Sequence, residues 1–424
     1  MKLKVFQSDK GDCLLLSGKD DTQVLVDGGM RSSFNEHVAP ELSALEKIDL
    51  VYVSHIDRDH ISGVLQLMQD LLDWRVFDFQ RESGNDHVRE PSHPRPPKVE
   101  RLWHNAFHDQ LEENAGAIED ALAASAAILD GAPELSGFAR LQRDVATSIK
   151  EGIQLSQRVD PKLLGIPVNH EFRDKLAMVR DEPQRITIGS IEFTVIGPFA
   201  EDLEKLRDDW NEWLRLNGPE VKKMREKMER DAGRLATGDV DGFRDASVER
   251  ALELASSEAS GLGDRDSVTV PNLASLMLLA KEGSKTVLLT GDGSHVDILK
   301  GLEAAGELDD HGRIHADVLK IQHHGSEHNI DEAFCKRVTA DHYVFCANGD
   351  DENPDERAVQ AVLDARAGDS FKLWFNCSEE AAKRSGDPEH MKKVEDRVTQ
   401  AAAAGNGRVE FAFLHDEHFF DLPV

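Results

Sequence analysis

Between His55 and His60 the chain reads HIDRDH, placing two imidazoles and two carboxylates, those of Asp57 and Asp59, within six residues. Neutral imidazole suits zinc and other borderline cations, whereas carboxylates suit harder ions such as manganese or magnesium, so a mixed set can hold a dinuclear site of either kind. The same side-chain types recur far away, at Asp292 in LLTGDG and at His323 and His324 in LKIQHHGS. Each group follows an apolar, strand-like run. Open sheets gather side chains from sequence-distant strands at one rim, so the three segments are predicted to converge there. Taken singly, Asp59 could cap a helix, Asp292 could make an Asx turn and the paired histidines could be core residues. Convergence accounts for all three at once.

The elements that must position these groups are legible around them. LKVFQS, GDCLLLSG and TQVLVDGG are predicted as three short strands bounded by turn residues. Phe34 to Lys47 has helical character with Pro40 near a helix start, IDLVYVS reads as a buried strand, and VLQLMQDLLDW as a helix running off the HIDRDH loop. ITIGSIEFTVIGP is predicted as a hairpin turning at Gly189-Ser190, and LASLMLLAKEGSKTVLLTGDG as another turning at Glu282-Gly283-Ser284. DVLKIQHHGS, DHYVFCANGD and FKLWFNC add further strands. Phe77 to Arg101 is polar and rich in proline, an expected exposed loop with His87 and His93 solvated. Asp109 to Val159 and Asp202 to Ser257 favour charged amphipathic helices, and Ser256 to Ser267 reads as a flexible connector. The expected organisation is a single domain over 1–424 with helical insertions at about 106–185 and 201–265.

Composition narrows the function classes. With 40% hydrophobic residues in 424, the chain can bury a sizeable core. No apolar run reaches the ~18 residues of a membrane span, and MKLKVFQSDKGD lacks a signal-peptide core, so a cytoplasmic protein with no membrane partner is expected. The four cysteines form no CxxC pair, which leaves no signature of a disulfide framework or zinc ribbon. Eighty acidic against 50 basic residues give a formal charge of −30, which repels polyanions unless a local positive focus, such as metal ions, receives them.

VLVDGG with Asp27, SHIDRDHISG, LWHN, LLTGDG and LKIQHHGS, in that order, resemble the motifs of the metallo-beta-lactamase-fold hydrolases, and the resemblance spans both ends of the chain. The usual family loop is HxHxDH, and here Asp57 replaces its second histidine. With GDCLLL and HHGS, that variant resembles the branch containing the hydrolase domain of bacterial DNA-uptake (competence) channel proteins. The resemblance implies an α/β fold, a four-layered αββα sandwich with two divalent metal ions, zinc or manganese, at one edge. It implies a first metal held by His55, Asp57 and a residue of the WHN segment, a second held by Asp59, His60 and His324, and Asp292 bridging both. His104 is the residue chosen from WHN, with Asn105 and His108 open alternatives. His323 is expected to face the substrate as donor or proton carrier, although it could exchange roles with His324. Asp27 is expected to orient loop ligands.

The activity implied by the resemblance is that of a phosphodiesterase or nuclease using metal-bound hydroxide, with Asp59 taking or orienting the proton and His323 assisting the leaving group. Two divalent ions contribute +4 and Asp57, Asp59 and Asp292 −3, leaving +1 to attract a nucleic acid or nucleotide. Arg81, Arg89, Arg95, Lys98 and Arg101 are candidate substrate contacts, whereas Asn272 and Ser275 read as structural. Other outcomes for the same fold are hydrolysis of a lactam, thioester or lactone, or an autoinhibited effector or interaction module of a bacterial defence system, with a regulatory protein partner at the helical insertions.

Overall fold

The computed structural model describes residues 1–105, 155, 158–159, 163–173, 175–205, 268–405 and 407–424. The two helix-forming blocks and the connector therefore lie almost wholly outside the described residues. Among the described residues from 163 onward, the first expected insertion is irregular chain with one 3-10 turn, His170–Phe172.

The N-terminal part contains β1 (Lys2–Phe6), β2 (Leu14–Ser17), β3 (Gln23–Val26), β4 (Lys47–Ile48), β5 (Leu50–Tyr52), β6 (Lys98–Val99) and β7 (Leu102–Trp103). The C-terminal part adds β8 (Arg185–Ile188), β9 (Ile191–Gly197), β10 (Met277–Glu282), β11 (Lys285–Leu289), β12 (Ile314–Lys320), β13 (Val338–Phe345), β14 (Phe371–Phe375), β15 (Val409–Phe413) and β16 (Phe419–Pro423). One sheet runs β16-β1-β2-β3-β5-β7 and the other β15-β14-β13-β12-β11-β10-β9-β8, with β4 and β6 forming a separate short pair. The principal helices are α1 (Arg58–Glu82), α2 (His295–Ala304), α3 (Glu332–Arg337), α4 (Glu356–Ala365) and α5 (Pro388–Ala404).

The period-2 alternation of the strands builds the layers. Leu14, Leu16, Val24 and Tyr52 from the first sheet pack against Val195, Leu278, Val287 and Val318 from the second, forming the inner core. Leu15, Leu25 and Val51 point the other way, onto Ile61, Val64 and Met68 of α1. On the far side, Leu279, Leu288, Leu319 and Phe345 meet Ile298, Phe334, Val362 and Val394 of α2 to α5. Helix, sheet, sheet, helix is the αββα sandwich implied by the resemblance. All four cysteines are buried and free. Among the described residues no helix is long and apolar enough to cross a membrane.

Four features depart from expectation, the first being that α1 runs on to Glu82 and β6 takes Lys98–Val99, both inside the expected Phe77 to Arg101 loop. The Phe34 to Lys47 segment forms short helical turns between Arg31 and Leu42, then gives way to β4. The C-terminal β15 and β16 were not foreseen, and β16 pairs antiparallel with β1, joining the two ends of the chain. His93 is not simply solvated: it lies beside Trp74, with Nε2 3.3 Å from Asp73 and 3.7 Å from Asp70 of α1.

Strand direction fixes the rim. β3, β5 and β7 are mutually parallel, as are β11, β12 and β13, so the carboxyl ends of each trio lie at one edge of its sheet. The Tyr52 hydroxyl donates to the Leu276 carbonyl, and the Leu276 N–H donates to Ser54 O at 2.7 Å, tying the end of β5 to the entry of β10. Gly63 lets α1 come down on this edge, because a Cβ there would collide with the Gly28 carbonyl.

Candidate metal centre

The HIDRDH loop leaves β5 and enters α1 with Asp57 at the N-cap position, where its side chain makes no capping hydrogen bond. Asp27, at positive φ (54°) just past β3, accepts the Ser54 N–H and hydroxyl, both at 2.7 Å. Its Oδ2 also lies 3.0 Å from Nδ1 of His60. From the other sheet, His323 and His324 follow β12 with consecutive positive φ angles of 46° and 56°. Non-glycine residues adopt that conformation at a cost, and such strain concentrates at sites where side-chain direction matters.

These constraints aim two rings at each other. His324 donates Nδ1–H to the Cys346 carbonyl at 2.9 Å, and His60 donates Nδ1–H to Asp27, which presents Nε2 of each ring to the centre. The two Nε2 atoms are 3.3 Å apart. Around them, Asp292 lies 3.2 Å from His60 Nε2 and 3.4 Å from His324 Nε2, and Asp59 lies 3.1 Å from His324 Nε2. Neutral rings would face lone pair to lone pair, an arrangement that a cation between them relieves. Without a cation, the carboxylates recruit protons instead. Burial alone would depress the pKa of His60 and of His324, but Asp292 and the neighbouring carboxylates raise both well above an ordinary histidine. Burial opposes ionisation of Asp59 and Asp292 too, yet the histidines hold both below the usual carboxylate range.

The rest of the expected set lies at the same rim. His55 Nε2 is 3.5 Å from Asp57 and 3.6 Å from Asp292. His104, the first residue past β7, is buried, and burial together with neighbouring His55 lowers its pKa to about 3, so the ring is neutral and able to act as a ligand. Its backbone is clamped by buried Asn169, whose Oδ1 accepts the His104 N–H at 2.9 Å and whose Nδ2 donates to the His104 carbonyl at 2.7 Å. Asn105 spends both ends of its amide on the Ala177 backbone, at 2.6 and 2.9 Å. His108 lies outside the described residues.

His323 stands at the edge of the centre, its side chain 27% exposed and Nε2 3.8 Å from Asp292. Asn329 donates its amide N–H groups to the carbonyls of Asp292 and Gly293, which turns its Oδ1 towards His323 Nδ1 at 2.7 Å and places the proton on that nitrogen. Nε2 then accepts from Asn272 Nδ2 at 3.3 Å. Ser275 accepts the Asp292 N–H at 3.2 Å.

Two residues at the centre were missed in the sequence. Buried Asp12, Asp292, His60 and His324 each offer one donor atom within 4.8 Å of the others. Asp12, however, meets both rings on the Nδ1 side, 3.3 Å from His324 and 3.8 Å from His60, behind the atoms that face the centre. Its Oδ2 is ion-paired with Lys320, which is itself 1% exposed. Counting Asp12, Asp27, Asp57, Asp59 and Asp292 as −5 and Lys320 as +1 leaves −4, which two divalent ions neutralise. With two divalent ions the balance would be zero, against the +1 reckoned from three carboxylates. Four of the five candidate basic contacts have carboxylate partners: Arg95 pairs with Asp78 at 2.7 Å, Arg101 with Glu171 at 2.8 Å, Lys98 with Glu100 at 2.9 Å and Arg81 with Asp86 at 3.8 Å.

No protein-family model matches the chain, and neither does any curated protein. Among solved structures it is similar to CmlA, a diiron beta-hydroxylase from Streptomyces venezuelae, and to a mutant of CmlA beta-hydroxylase. Both matches have 12% sequence identity and a TM-score of 0.38, covering 100% of this chain and 54% of the other. The chain thus spans about half the length of those proteins, and a likeness this slight assigns neither fold nor activity.

Proposed function

We propose that the protein is a metal-dependent hydrolase whose rim holds two divalent ions and whose substrate is a phosphodiester, in nucleic acid or a nucleotide. The observation that carries this reading is the 3.3 Å approach of His60 and His324 through their Nε2 atoms, with Asp59 and Asp292 completing a buried donor set. The residues present fit such ions. His55, Asp57 and His104 would hold one, Asp59, His60 and His324 the other, and Asp292 would reach both. Divalent ions bound there supply Lewis acidity and lower the pKa of an attacking water.

The chain's own groups divide the remaining work. Three carboxylates stand beside four imidazoles in this set, which makes it harder than a purely histidine site and favours ions such as manganese and oxygen-rich substrates. His323, neutral with its proton on Nδ1, would exchange the long Asn272 hydrogen bond at Nε2 for the attacking water, take its proton and return it to the leaving oxygen. Its pKa is depressed by burial against the pull of Asp292, which suits a base that must release its proton again. Asp59, 3.1 Å from His324 Nε2, would share the second ion with that ring, which leaves the proton transfer to His323. Lys10, its side chain 38% exposed and 3.3 Å from Asp351, lies in the field of Asp59, and on this reading it meets a substrate phosphate. Near-neutrality of the loaded centre and the −30 of the whole molecule favour single strands, chain ends or small nucleotides over long duplex.

The test is incubation with labelled single-stranded DNA, duplex DNA, RNA and cyclic nucleotides in manganese or zinc, alongside His60→Ala. Cleavage of at least one by wild type and none by the variant is expected. A metal-loaded wild type that cleaves none would contradict the phosphodiester reading.

A further inference from the structure

We propose that Lys320 is a permanent cation of the metal centre, neutralising Asp12 so that Asp12 stays behind the histidines as a partner of Lys320 rather than a metal ligand. The inference rests on the dinuclear reading above and assigns a role to two residues which that reading leaves unused.

Lys320 is the last residue of β12, four positions before His324, and its ammonium is enclosed. It pairs with Asp12 Oδ2, donates to the Gly291 carbonyl at 3.1 Å and lies 3.7 Å from Asp292 Oδ1. An ammonium taken out of water needs such compensation, and so does the equally buried Asp12 carboxylate. Asp12 would make the centre one charge too negative for two divalent ions if it stood alone. Its contacts run to the Nδ1 atoms of His60 and His324, whereas Asp59 and Asp292 meet the Nε2 atoms. Proximity alone makes Asp12 a fourth ligand candidate. The side from which it approaches, and the lysine that holds it, make it a counter-charge. Lys320 also spans from Asp12 to Asp292, linking the turn before β2 to the expected bridging carboxylate.

The charge role has a signature that a packing role lacks, because the two single substitutions act in opposite directions. Full-length chelator-treated protein is titrated with manganese at pH 8 as wild type, Lys320→Met, Asp12→Asn and the double variant. Removing the lysine makes the pocket more negative, and about tenfold or more tighter manganese binding is expected; removing the carboxylate leaves an excess cation, and about tenfold or more weaker binding is expected. The double variant, with the net charge restored, is expected within about threefold of wild type. Weakened binding in both single variants, or a double variant no better than Asp12→Asn, would overturn the proposal. If Lys320→Met is insoluble, Asp12→Asn and the double variant still decide by the same criterion, and an insoluble double variant counts against the proposal. Melting of the metal-free proteins separates this inference from the function it rests on. If wild type binds no metal, the hydrolase reading fails, whereas a double variant more stable than either single variant still supports the Lys320–Asp12 charge pair, and one no more stable overturns it.

Discussion

Asp27 Oδ2 lies 3.0 Å from His60 Nδ1, and the other oxygen of the same carboxylate receives the Ser54 N–H at 2.7 Å, so a single side chain fixes both the ring and the backbone that carries the motif. A carboxylate behind a metal-facing histidine sets its tautomer and raises its basicity. Asp27→Asn is therefore expected to weaken manganese or zinc binding about 10- to 100-fold while leaving the far-ultraviolet spectrum unchanged. Metal titration checks this, and unchanged affinity would remove Asp27 from the account.

Asn169 does for His104 what Asp27 does for His60, although it grips backbone instead of ring. Asn169→Ala strips two buried hydrogen bonds and leaves their partners unsatisfied, an expected loss of about 2–4 kcal/mol. Denaturant unfolding of the metal-free protein measures it. A loss below about 0.5 kcal/mol would show that the segment holding His104 is fixed by other contacts.

His323→Gln keeps a polar side chain at the rim but cannot shuttle a proton. A fall in kcat of about 10²- to 10⁴-fold with bound metal unchanged is expected. Loss of metal together with activity would instead make His323 a ligand, the exchange of roles with His324 that the paired histidines leave open in the sequence.

The pH dependence of the metal-free protein is set by the opposed shifts. His60 and His324 are raised, so their stabilisation is complete below the unfolded value near ~6.5 and is lost as pH climbs through their elevated folded values. Asp59 and Asp292 are lowered, so theirs is present above ~3.9 and lost in acid. Stability without metal is expected to peak between about pH 4 and 6.5 and to decline through the alkaline range. Metal affinity runs the other way, rising with pH as the rings give up their protons. Melting scans with and without chelator test both trends. A chelated protein that gains stability from pH 6.5 to 9 would contradict the assigned charges.

Much of this was legible because strand ends announce themselves. VLVDGG, IDLVYVSH, VLLTGD and VLKIQHH each show an apolar run breaking at a polar group, and parallel pairing then gathers those ends without further instruction. Asp12 and Lys320 gave no such sign. Asp12 sits between Gly11 and Cys13, where it reads as ordinary turn chemistry, and Lys320 is one more residue of the strand-like run DVLKIQHHGS. Each is explicable only beside the other, and 308 residues separate them. Some partners of the basic loop are equally hard to read in sequence: Arg95 pairs with Asp78 of α1 and Arg101 with Glu171, 70 positions away.

On the proposed function, His60 and His324 would hold a cation through their facing Nε2 atoms, and His55, Asp57 and His104 would hold a second along the rim. Anomalous diffraction from crystals grown with manganese tests it directly. Two peaks are expected, one within bonding reach of Asp59, His60 and His324 and one of His55, Asp57 and His104, with Asp292 between them and Asp12 bound to neither. No peak at this rim, or a peak ligated by Asp12 with Lys320 displaced, would contradict it.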